Sequence, residues 1–112
     1  MRKSCDGATP GPPTLHRPME LRDVQARMRD TYGERDAARG VDATFRWFTE
    51  EVGELAKAIR SGDPAELAHE TSDVLAWLAS LAEQLGVDLD AAMARFADGC
   101  PKCGASPCRC AP

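Results

Sequence analysis

Between residues 19 and 98 the apolar positions recur at helical spacing, and nowhere do they alternate as a strand would. Leu21, Val24, Met28 and Tyr32 make a first stripe, followed by Gly40. Phe45, Phe48, Val52, Leu55 and Ile59 recur at intervals of 3, 4, 3 and 4, and Gly62 ends that helix. Asp63-Pro64-Ala65-Glu66 then offers an N-cap, a proline at the first helical position and a capping-box glutamate. A third stripe of Leu67, Thr71, Val74, Leu78, Leu81 and Leu85 closes near Gly86. Asp88 can cap a short fourth helix through Leu89, Met93 and Phe96, stopped by Gly99 and Pro101. The pattern predicts an all-α domain of four helices, with no internal repeat.

Proline marks the boundaries, because only Pro64 of the eight prolines lies between residues 19 and 98. Residues 1–18, with Pro10, Pro12, Pro13 and Pro18, read as a disordered tail. Residues 19–98 read as the helical domain and 99–112 as a cysteine-rich tail. Met19 is expected to stand close to the domain start, and Met1 and Met19 are alternative translational starts. A domain of this size buries only roughly 60% of its unfolded surface, and its second and third helices carry heptad-like seams. The expectation is a homo-oligomeric bundle, dimer or tetramer; the alternative is a lone, marginally stable four-helix domain.

The net charge of −4 is unevenly spread. Residues 47–98 hold eleven acids against Lys57, Arg60 and Arg95, which is −8 for that stretch alone. Such a segment repels phosphate polyanions unless a cation intervenes, which argues against nucleic-acid polymers and anionic membranes as partners. No apolar run approaches the roughly 20 residues of a membrane helix, and the N-terminus has no hydrophobic signal region. A cytoplasmic location is expected.

The acids are arranged rather than scattered. On a helical wheel Trp47, Glu51 and Glu54 flank the second stripe, and Glu70, Asp73 and Trp77 occupy the same flank of the third. Their order is mirrored about Gly62, so an antiparallel hairpin bent there sets Glu54 level with Glu70, Glu51 with Asp73 and Trp47 with Trp77. Four carboxylates would then meet between two helices, at the edge of the core. Packed that closely they need a cation or raised pKa values. All-oxygen ligands suit Mg²⁺ or Mn²⁺, which join protein carboxylates to substrate phosphates.

Glu50-Glu51-Val52-Gly53-Glu54, followed by Glu70-Thr71-Ser72-Asp73, resembles the EExxE…ExxD signature of MazG-like nucleotide pyrophosphohydrolases. Arg35-Asp36, Gly40 and Thr44-Phe45-Arg46-Trp47 before the acids resemble the family too, as does the run from Leu81 to Leu89. The resemblance implies an all-α oligomer that cleaves (d)NTPs between the α- and β-phosphates, for nucleotide-pool control or sanitation. It implies Glu51, Glu54, Glu70 and Asp73 as Mg²⁺ ligands, with Glu50 orienting water or a second metal. It also implies a basic residue on the last helix for phosphate; Arg95 stands there, where the family more often has Lys.

Trp47 and Trp77 share the acidic flank and are candidates for stacking on a nucleobase. Gly53, on the opposite side of its helix from the acids, is expected to allow close helix–helix approach. His69 completes Glu66-x-x-His69, a spacing that di-iron bundles need on two helices and that occurs here once. It reads as an ordinary surface residue or one supporting a ligand.

In the tail, Cys100-Pro-Lys-Cys103-Gly resembles a zinc knuckle, and Cys108-Arg-Cys110 would complete a structural Cys₄ site. Redox-active thiols or a disordered tail are the competing readings. Two alternatives to the pyrophosphohydrolase remain: a helical carboxylate protein binding iron or another redox metal, and a non-catalytic dimerisation module that shows a zinc knuckle to a protein partner.

Overall fold

A computed structural model describes residues 18–112. The N-terminal tail expected from the sequence, with Met1 and Cys5, lies outside the described residues except for Pro18. Among the described residues there are four α-helices and no strand: α1 (Leu21–Arg39), α2 (Val41–Ser61), α3 (Pro64–Leu85) and α4 (Leu89–Met93), the last running into a 3-10 turn at Ala94–Phe96. None of these helices is long and apolar enough to cross a membrane.

Local chemistry accounts for the helix ends. The Glu20 N–H donates to Asp23 Oδ2 (2.9 Å) at the start of α1. Asp63 Oδ1 accepts from the Ala65 N–H (3.0 Å), and Pro64 takes the first position of α3. Asp88 Oδ1 accepts from the Ala91 N–H (3.3 Å) at α4. Gly62 ends α2 at φ +72°, a left-handed conformation that L side chains resist, and its N–H donates back to Ala58 O (2.9 Å). That turn folds α2 back along α3.

α3 is the centre of the domain, with α2 on one side and α1 on the other, and α4 leans on α1. The interior is short of large apolar residues. Its buried hydrophobic members are Ala58, Trp77, Ala79, Leu81 and Ala82, and beside them lie Gln25, Asp36, Thr44, Glu51, Glu70, Asp73 and Ser80. Buried polar groups must find partners. Gln25 does so by clamping the α3–α4 connection: its Nε2–H donates to Val87 O (2.7 Å) and its Oε1 accepts from the Leu89 N–H (2.9 Å). Gln84 Nε2–H donates to Asp36 O and so ties α3 to the end of α1.

Three of the five residues in the apolar stripe of α2 face outward, and Phe48 and Leu55 are half-buried. Phe45 is 54% exposed and Ile59 65%, with Val52 between them, while Leu75, Leu78 and Leu85 are exposed on α3. The side of α2 turned toward α3 is Thr44, Glu51 and Ala58, with Trp47 and Glu54 half-buried beside them. This differs from the expectation that the stripe is core and the acids its edge. Helical periodicity identifies an apolar face without naming its partner, and within one chain α3 packs against the other flank. Gly53 likewise has open space around the position of a Cβ, so among the described residues no element approaches it closely.

Candidate metal centre

The α2–α3 hairpin carries its acids inward. Glu51 is 1% exposed, Glu70 4% and Asp73 5%. On α3, Glu70, Asp73 and Trp77 follow one another at the 3- and 4-residue spacing that keeps them on one face. Glu51 enters the same space from α2. One ligand atom each from His69, Glu70 and Asp73 lie within 4.8 Å of one another, and His69 Nε2 stands 3.2 Å from Asp73 Oδ2. His69 therefore lies beside the acidic cluster, in contact with Asp73, which fits the second of the two roles the sequence offered for it, support of a ligand. The signal for it was its place four residues before Asp73 on the same helical face.

Burial, reinforced by the negative charges of Asp73 and Glu70, holds the Glu51 carboxyl above its ordinary value of 4.5. The folded chain thus keeps this proton to a higher pH than the unfolded chain does. Below 4.5 both states are protonated and the effect vanishes. As pH rises above 4.5 the unfolded chain ionises first, so unfolding releases a proton and the metal-free fold loses stability. A divalent cation bound to the carboxylates competes with that proton. The melting temperature of the wild type in chelator, taken relative to Glu51→Gln, should therefore fall as pH is raised above 4.5. The gain on adding Mg²⁺ should grow with pH more in the wild type than in Glu51→Gln.

The other candidate residues stand as follows. Glu54 is half-buried one turn beyond Glu51, with Lys57 Nζ 3.6 Å from its Oε1. Glu50 is exposed on the rim. Trp47 and Trp77 lie together, ring centroids 6.3 Å apart and planes inclined by 24°; Trp77 is fully buried and Trp47 half-buried. The guanidinium of Arg39 lies 4.8 Å from the Trp77 ring centroid, a cation–π contact. Arg39 is held there by Asp36 Oδ1 at 2.7 Å and Thr44 Oγ1 at 3.4 Å, and Thr44 Oγ1–H donates to Gly40 O (2.8 Å). Sequence reasoning assigned no role to Arg39, whose only signal was its position just before the Gly40 link. Arg95 is not brought to the acids: it is exposed, its guanidinium lies 5.0 Å from the Phe96 ring centroid, and its 3-10 turn packs on α4. In the C-terminal tail, Cys100, Cys103, Cys108 and Cys110 form a second ligand-capable cluster, compatible with zinc.

A helical hairpin with buried carboxylates close to one another could hold a cation between its helices. A model of the MazG nucleotide pyrophosphohydrolase domain matches residues 39–102, more than half of the chain, and the chain belongs to that family. The matched region takes in all of α2, α3 and α4. No curated protein matches the chain.

Proposed function

We propose that the chain is a Mg²⁺-dependent nucleoside triphosphate pyrophosphohydrolase, adding water across the anhydride between the α- and β-phosphates to release a (d)NMP and pyrophosphate. The observation that carries this reading is the convergence of Glu51, Glu70 and Asp73, three buried carboxylates from two helices, in a member of a pyrophosphohydrolase family. Their hard oxygen donors suit Mg²⁺, and the nitrogen of His69 beside them gives Mn²⁺ a further possible ligand. The bound ion would neutralise charge on the phosphates and polarise the attacking water.

The remaining roles fall to the protein. Glu51, Glu70 and Asp73 hold the ion, with Glu54 completing the set from the rim. Glu50, exposed beside them, orients water. Trp47, half-buried, offers the accessible ring for a nucleobase, while Trp77 and Arg39 support it from behind. Arg95 can serve the phosphates only from another subunit of an assembly. Incubating the full-length protein with a panel of (d)NTPs and Mg²⁺ tests the reading: pyrophosphate and monophosphate should appear together, and release from none of the nucleotides would remove it.

We also propose that the exposed stripe of Phe45, Val52 and Ile59, with Leu75, Leu78 and Leu85, is covered by a second copy of the chain, giving a homodimer or homotetramer. Six large apolar side chains exposed on two adjacent helices are more than scattered surface residues usually amount to. Phe45→Glu combined with Ile59→Glu should lower the mass measured by light scattering to that of one chain while leaving the helical circular dichroism in place. A wild-type protein that is already monomeric at high concentration would refute the assembly.

A further inference from the structure

We infer that Cys100, Cys103, Cys108 and Cys110 bind one Zn²⁺ in a closed tetrahedral site, and that this ion is what folds the C-terminal segment. The four sulfurs sit within 4.8 Å of one another. Two pairs that share no atom, Cys100 with Cys110 and Cys103 with Cys108, are 3.7 and 3.9 Å apart. With zinc–sulfur bonds of about 2.3 Å, the edge of a regular tetrahedron is about 3.8 Å. The two pairs therefore have the separation of opposite edges around one ion. A disulfide would bring the sulfurs to about 2.05 Å, and neither pair approaches it.

The backbone is arranged for thiolates. The Arg109 N–H points at Cys103 Sγ (3.3 Å) and the Cys110 N–H at Cys108 Sγ (3.3 Å). The first turn is closed by the Cys100 N–H on Ala105 O (3.0 Å) and the Gly104 N–H on Cys100 O (2.7 Å). Gly99 permits this closure: it sits at φ +121°, and a Cβ there would lie 2.8 Å from Ala105 O. Residues 101–112 contain no side chain more apolar than Cys, Pro or Ala, so no hydrophobic core holds the turn. Four thiolates and one Zn²⁺ carry a charge of −2, which Lys102 and Arg109 offset.

Tetrahedral sulfur also suits iron, and exposure decides between them. Three of the four cysteines are exposed, a setting in which a redox-active iron would meet oxidants while zinc has no second oxidation state to reach. All four positions being filled, the ion takes no substrate. The family match ends at residue 102, so it takes in Cys100 and stops before Cys103, Cys108 and Cys110.

Metal analysis of the full-length protein, purified under reducing conditions with zinc supplied, tests the inference. About one zinc per chain should be retained, and Co²⁺ in its place should give the visible bands of tetrahedral thiolate cobalt. The Cys103→Ser, Cys108→Ser double variant should lose about tenfold or more of the zinc while its helical circular dichroism stays unchanged. Gly99→Val should weaken zinc in competition with a chelator. Glu51→Gln should keep its zinc, which separates this result from the fate of the hydrolase proposal. Less than about a tenth of an equivalent of zinc, iron in its place, or zinc retained by the double variant would each overturn the inference.

Discussion

Glu51→Gln is expected to lower the rate of pyrophosphate release at saturating Mg²⁺ on the order of 10²–10³-fold, the scale on which removing one preorganised electrostatic group acts. The substitution keeps volume and shape and removes one charge, so the helix and its packing survive. It also relieves the repulsion that Asp73 and Glu70 exert on this carboxyl. The variant should accordingly be more stable than the wild type in chelator and gain less from Mg²⁺. Opposite signs of the change in activity and in metal-free stability are what a ligand role predicts; a residue needed only for folding would lose both together. Asp73→Asn should behave in the same way. Glu50→Gln, at an exposed position, should lower the rate by about 10–100-fold, less than Glu51→Gln. Pyrophosphate assays and thermal melts with and without Mg²⁺, run on the same preparations, measure both quantities.

The second large effect is on stability. Trp77→Ala is expected to cost about 3–5 kcal/mol, the range for emptying a buried aromatic site, out of a total of roughly 5–15 kcal/mol for a domain of this kind. Trp77 is the largest fully buried side chain among the described residues, and its ring has Trp47 stacked beside it and the Arg39 guanidinium 4.8 Å from its centroid. Few other large apolar groups lie inside among the described residues to fill the space. Trp77→Phe should recover more than half of the loss. Trp47→Ala, at a half-buried position, should cost less than Trp77→Ala. Urea denaturation in chelator reads all three without interference from metal binding.

Much of the architecture was legible because the helix ends are set by short-range chemistry. Gly40, Gly62 and Gly86, with the caps at Asp63 and Asp88, announce the boundaries that the helices take. The mirrored order about Gly62 was enough to set Trp47 beside Trp77 and to bring Glu51 near Asp73. What periodicity could not reveal was which flank of α2 would meet α3. An amphipathic stripe shows that a face wants cover, and in this chain the cover within the protomer goes to the acids while Phe45 and Ile59 stay outside. Equally hidden were contacts that depend on three-dimensional neighbours of distant sequence. Gln25 is polar on an otherwise apolar flank until Val87 and Leu89 are seen against it. Arg39 looks like a helix-end charge until Trp77 lies beneath it, and the family's basic position, Arg95, is held on Phe96 instead of near the carboxylates.

The mirrored hairpin bears on how the chain folds as well as on what it binds. Closing a turn at Gly62 brings together partners close in sequence, the kind of local contact that forms early and fast. Here those first contacts press like charges on one another, so the step that is topologically easiest is electrostatically opposed. A cation present while α2 and α3 close would lower that barrier, and the rate of refolding would then depend on the ionic composition around the nascent chain.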